Sequence, residues 1–295
     1  MRNISTFHKS FTQWICLSFL LIACSSDPPK TIIKGSATSI SPDSRKILSF
    51  TRHVDQDSVF VTNVESGNIN FKYELNEKLS ELVFLNNDSI LVQLNNTLFT
   101  IDLNNSQFTE FAKFDSMNIM AFTVDAQSNR LIWGNAPENI HAREVVSELI
   151  LYDLKKKQIQ RIQFSENFGW LFGIAPMGKD MFLLNLEGEL KLLNIASKFI
   201  INSNLVKSDV SLGESPIQIT SDKKKLVTSM NEGGIYALDL MTKDLREHNS
   251  AGKYIYPNLS PDNRFIVARE ISNFGNRSSI FSTEELFKEP IRIIQ

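Results

Sequence analysis

One short pattern returns six times along this chain: an alternating apolar strand that closes on a polar turn. It reads VFVTNV (59–64), LFTIDL (98–103), LILYDL (149–154), LKLLNI (190–195), IYALDL (235–240) and, degraded, SIFSTEEL (279–286). With Asn63, Asp102, Asp153, Asn194, Asp239 and Thr283 as equivalent points, the spacings are 39, 51, 41, 45 and 44 residues. A period of that length, with about four short strands per unit and no amphipathic helix, marks β-propeller blades. A lone four-stranded blade has two apolar faces and covers neither, so blades stack, and closing the stack into a ring removes its exposed ends. The expected fold is all-β: a six-bladed β-propeller of four-stranded antiparallel blades at 36–75, 79–114, 118–164, 168–205, 214–250 and 255–294. Because Ile291 to Ile294 reads as the last blade's own outer strand, closure needs no strand from the N-terminus. Thr31-Ile32-Ile33 is then left as an optional extra edge.

A second marker precedes the first in three units: Ser41-Pro42-Asp43, Thr220-Ser221-Asp222 and Ser260-Pro261-Asp262, each followed directly by a new strand. An Asp in that place caps its own turn by accepting from backbone N–H groups, so these acids are read as turn-makers. The turns resemble the WD40-like repeat of TolB-type bacterial propellers. That resemblance implies a propeller of the cell envelope and covers most of the chain as architecture. The position after Asp, usually Gly in that family, is Ser44, Lys223 and Asn263 here. The segment before the first blade is too short for the separate domain that TolB carries, so a Tol–Pal role does not follow.

Near the start of the chain stands Leu21-Ile22-Ala23-Cys24, after Arg2, Lys9 and an apolar run from Trp14 to Ile22 that is too short to span a bilayer. This resembles a bacterial lipobox. The resemblance implies a signal peptide over 1–23, export, cleavage before Cys24 and acylation of Cys24, followed by a polar tether to residue 35 containing Pro28-Pro29. Ser25 rather than Asp after the cysteine implies outer-membrane sorting under the proteobacterial rule. Membrane attachment is then by lipid alone, since no later apolar run reaches the roughly 18 residues a span requires.

Loss of Arg2 and Lys9 with the signal segment would leave 29 basic and 33 acidic side chains, which argues against nucleic acid as a partner. Cys16 and Cys24 leave no thiol pair for a disulfide. If each blade runs from inner to outer strand, its first and third turns emerge on one face, the turn face. Its second turn and the link to the next blade emerge on the other, the link face. The turn face is expected to hold 14 basic side chains, Lys155 to Lys157 and Lys223 to Lys225 among them, against nine acidic ones. Such an excess would steer an acidic partner or anionic lipid head groups.

The link face has the longer loops, notably Asn135 to Ser147, which holds His141, Arg143 and Glu144. In the same layer fall Arg52, His53, Trp170, Asn231, Glu232, Tyr254, Tyr256 and Phe274. Aromatic, Arg and His side chains around a propeller mouth suit a protein, peptide or glycan through stacking and bidentate bonds. Trp170 and Tyr256 adjoin inner strands and compete as core residues.

No catalytic motif of the Gly-x-Ser-x-Gly, Walker or His-Glu-x-x-His kind occurs. His53, His141 and His248 lie on three blades with no ligand-like spacing, so neither metal nor cofactor is implied. The inner strands offer Glu81, Gln218 and Asn258, with Asp125 near a strand end, and these read as a hydrogen-bonded channel lining. The expected function is a non-catalytic, lipid-anchored interaction or ligand-binding module. The competing reading is a secreted hydrolase or lactonase using the axial pocket.

Overall fold

The computed structural model of the chain describes residues 32–54, 56–114, 119–125, 129–135, 148–163, 169–178, 180–203, 205, 212–230, 233–247, 253–271, 277–284 and 293–294. They build a closed wheel of six blades. After β1 (Ile32–Lys34), blade 1 is β2 (Ser36–Ile40), β3 (Lys46–Arg52), β4 (Asp57–Asn63) and β5 (Ile69–Leu75). Blade 2 is β6 (Leu79–Phe84), β7 (Ser89–Leu94), β8 (Thr97–Asp102) and β9 (Phe108–Lys113). Blade 3 holds β10 (Ile119–Asp125), β11 (Arg130–Asn135), β12 (Glu148–Asp153) and β13 (Gln158–Gln163). Blade 4 follows as β14 (Leu171–Gly178), β15 (Met181–Leu186), β16 (Glu189–Asn194) and β17 (Phe199–Asn202). Blade 5 is β18 (Gln218–Ile219), β19 (Lys225–Thr228), β20 (Tyr236–Asp239) and β21 (Leu245–Glu247). Blade 6 has β22 (Tyr254–Leu259), β23 (Phe265–Glu270) and β24 (Arg277–Ser282), and the described chain ends in β25 (Ile293–Ile294).

Every pairing is antiparallel, and the inner strands pack on one another in sequence from β2 round to β22, which meets β2 again. Six apolar clusters fill the six spaces between blades. In one of them Leu48 and Val61 of blade 1 meet Ile90 and Val92 of blade 2, while Leu91, whose side chain points the other way, joins Trp133 and Tyr152 of blade 3. This explains why the second strands read as unbroken apolar runs: both of their faces are buried, as in β7, where Ile90 through Leu94 are all covered.

Closure differs from the expectation. The outer strand of blade 6 is β1, with Ile32 opposite Ser279, Ile33 opposite Ser278 and Lys34 opposite Arg277. Ile293 and Ile294 lie instead on blade 5, as a fifth strand against Arg246 and Leu245. The wheel therefore enlists the start of the chain to complete its last blade. Buried Ile33 fits there because it packs with Phe265 and Val267 of blade 6 and with Ala37, Ile40 and Ile47 of blade 1.

The turn chemistry is as expected. Asp43 accepts from the Ser41 hydroxyl at 2.6 Å and the Arg45 amide at 3.1 Å, and the Ser41 hydroxyl oxygen accepts from Lys46 N at 2.9 Å. Thr220 and Asp222 repeat this arrangement before Lys225, and Ser260 and Asp262 repeat it before Phe265. The third turns are equally uniform. Asn63, Asp102, Asp153, Asn194 and Asp239 each accept from the amides two and three residues ahead. In blade 6 the equivalent residue is Ser282, which lies opposite Phe265 as Asn63 lies opposite Lys46, so the equivalence point is one residue earlier than Thr283.

Candidate functional site

Five of the six inner strands carry a register shift: between Ala37 and Ser39, Leu79 and Glu81, Ile119 and Phe122, Leu171 and Gly173, and Ile255 and Asn258. These five lie in the half of the strand nearer the link face, and β14 has a second shift, between Pro176 and Gly178, at its turn-face end. A bulge adds twist and re-aims side chains, so the link-face mouth of the channel is built from irregular backbone.

Tyr256 occupies one of these bulges with φ 52, a left-handed conformation that a bulky aromatic residue adopts only under constraint from its surroundings. Its amide points to the Ser229 hydroxyl at 3.4 Å, which in turn bonds Ser215 at 2.6 Å, while Asn258 Nδ2 donates to its carbonyl at 3.2 Å. The residue nevertheless stays 38% exposed. Trp170, at the entry to β14, is 45% exposed, and its carbonyl accepts from the Glu187 amide at 2.8 Å, which fixes its backbone. Neither aromatic is a core residue. Tyr254 is the one that packs inside, edge-to-face on Phe281 with ring centroids 4.7 Å apart.

Arg52 ends β3 at this face, exposed, with Nη2 donating to the Leu79 carbonyl at 3.2 Å and its guanidinium 5.4 Å from the Phe50 ring. His53 follows it, exposed; its ring nitrogen lies 3.2 Å from the Thr51 hydroxyl, and its carbonyl accepts from Lys78 Nζ. Beneath them Asp57 is fully buried, accepts from the Leu79 amide at 2.9 Å and faces Lys78 Nζ at 3.6 Å, which ties blade 1 to the first strand of blade 2. Sequence reasoning passed over Asp57; its place at the start of a strand that is otherwise apolar was the available signal. The remaining expected site residues, His141, Arg143, Glu144, Asn231, Glu232 and Phe274, lie outside the described residues, as does Cys24.

Within the channel, Gln218 and Asn258 line a cavity of about 340 Å³ at the turn-face end, together with Thr38, Phe122 and Thr123 between apolar walls. Its lining carries no charge, which suits an uncharged polar group. Glu81 lies on β6 nearer the link face. Burial pushes its carboxyl up to about 7, and the Arg52 charge only partly opposes that rise. Asp125 is the last residue of β10, buried at the turn face opposite Arg130, so the two inner-strand acids stand at different heights. Among the described residues no three His, Cys, Asp or Glu side chains gather as a metal-holding group.

The turn face does not carry the expected excess of positive charge. Asp88, Asp102, Asp125, Asp153 and Asp239 also stand there, and with them the described residues number twelve basic against twelve acidic. Charge separates by sector instead. Blades 3 to 5 hold nine basic side chains against six acidic, and blades 6, 1 and 2 hold three against six.

The chain is thus a six-bladed β-propeller with an axial cavity and an aromatic mouth. Comparison with protein-family models gives no match, and comparison with curated proteins gives none either.

Proposed function

We propose that this wheel is a non-catalytic interaction module of the bacterial envelope, lipid-anchored through Cys24, whose link-face mouth takes a protein, peptide or glycan. The observation that carries the reading is Tyr256. Its backbone is held in a conformation that costs about 1–3 kcal/mol, and the residue is nevertheless 38% exposed at the mouth. Exposed Trp170 and Arg52 on other blades give the same mouth a second aromatic surface and a cation. The lipobox-like Leu21-Ile22-Ala23-Cys24 supports the anchor, and Ser25 supports the outer membrane as its site.

Affinity capture from crosslinked envelopes tests this, using the native chain, Cys24→Ala, Trp170→Ala and Tyr256→Gly. The last variant removes the ring and relaxes the backbone, so the fold should hold or gain stability. Loss of a shared partner in both aromatic variants, at unchanged or higher melting temperature, is the expected result. Equal capture by all forms would overturn the mouth as the binding face.

A further inference from the structure

Three consecutive blades place a lysine where turn geometry favours glycine or asparagine. In the third turn of blades 1 to 5, the residue four after the capping Asn or Asp has positive φ. It is Gly67 in blade 1 and Ser106 in blade 2, but Lys157, Lys198 and Lys243 in blades 3, 4 and 5, with φ 54, 60 and 65. Lys157 and Lys243 donate their amides back to Asp153 and Asp239 as Gly67 does to Asn63, so the backbone job is identical and the long side chain adds nothing to it. All three lysines are exposed. A left-handed lysine costs free energy that glycine or asparagine would spare, and with Lys223 at φ 61 in the first turn of blade 5 the same cost is met four times on one face.

Two apolar side chains stand beside these lysines. Met241, in the blade 5 turn, is 80% exposed, and Phe199, first residue of β17 and directly after Lys198, is 70% exposed. Exposed apolar tips among lysines are the surface chemistry of a protein that lies on a bilayer, with the tips at the acyl boundary and the ammonium groups on anionic head groups.

We infer that the turn face of blades 3 to 5 docks on an anionic lipid surface, with Lys157, Lys198 and Lys243 as its charge contacts and Met241 and Phe199 as its apolar ones. The link-face mouth then points away from the bilayer, toward its partner.

Flotation with vesicles separates the two readings. The full-length chain carrying Cys24→Ala, so that acylation plays no part, is mixed with vesicles of phosphatidylcholine alone or doped with phosphatidylglycerol. It should float only with the doped vesicles and detach as salt is raised. The further replacements Lys157→Asn, Lys198→Asn and Lys243→Asn should weaken binding about fivefold per lysine while melting at or above the parent's temperature. Equal flotation of parent and triple variant, or no preference for the doped vesicles, would overturn the docking surface. So would retention of the parent on an acidic protein but on neither vesicle, which would assign the lysines to a protein partner. Acylation is read independently, from the mass of native protein extracted from membranes.

Discussion

The Ser278 hydroxyl oxygen accepts a hydrogen bond from the Ala37 amide at 2.9 Å, across 241 positions of sequence. The same hydroxyl donates to the Gly35 carbonyl at 2.9 Å, so one buried side chain clasps the first blade to the last. Ser278→Ala leaves the Ala37 amide and the Gly35 carbonyl without that partner and should cost about 1–3 kcal/mol. Gly35→Ala attacks the same joint through the backbone. Gly35 has φ 88, and a Cβ there would stand 2.6 Å from the Phe50 carbonyl oxygen, so the link between β1 and β2 must move. Thermal unfolding of both variants should show one cooperative transition at lower temperature, because loosening one seam exposes the clusters on either side of it. Unchanged melting in both would remove the clasp from the account.

Acid should weaken the wheel through its turns. Bonds from the Lys156 and Thr242 amides hold the Asp153 and Asp239 carboxyls, respectively, below the usual carboxylate range, and the Thr220 hydroxyl does the same for Asp222. A carboxyl whose folded value is depressed contributes stability that is present above its unfolded value, near 3.8, and is lost as pH falls through the folded one. Blades 1 and 4 already use Asn63 and Asn194 at the equivalent point. Asp153→Asn with Asp239→Asn should therefore keep neutral-pH stability nearly unchanged and flatten the acid arm of a denaturation profile. An acid arm as steep as the parent's would contradict this.

Glu81 should act with the opposite sign. Its folded value of about 7, against an ordinary 4.5, means the folded wheel holds a proton that the unfolded chain has released between those limits. Stability from this residue falls as pH rises from about 4.5 to about 7 and is level above. Glu81→Gln should abolish that slope in urea midpoints measured across the range. The same slope in parent and variant would show that Glu81 is not the group responsible.

The legible parts of the fold were local. Period, the succession of strands within a blade and turn caps depend on residues a few positions apart, and each was written in side chains with one physical role: Asp43 as a cap, Ile90 to Val92 as a strand buried on both faces. Closure was misread because Ile32-Ile33 and Ile293-Ile294 are the same short apolar signal, and only packing against Ile47 and Val267 decides between them. The charge of the turn face was misjudged because Asp102, Asp153 and Asp239 look like strand residues although their carboxylates emerge at the turns. At the link-face mouth, Arg52, Trp170 and Tyr256 were legible as types. The bulges that expose Tyr256 were not, since an extra residue in a strand leaves no composition signal.

The account stands on a wheel whose last blade is completed by the strand that leads from the N-terminal segment. Lys34 and Arg277 are register partners at its outer edge, and both are exposed. With Cys16→Ser and Cys24→Ser to remove other thiols, the pair Lys34→Cys and Arg277→Cys should form an intramolecular disulfide on oxidation and raise the melting temperature. Ile293→Cys should link to Arg246→Cys and not to Arg277→Cys. A disulfide between positions 293 and 277, with none between 34 and 277, would contradict the closure.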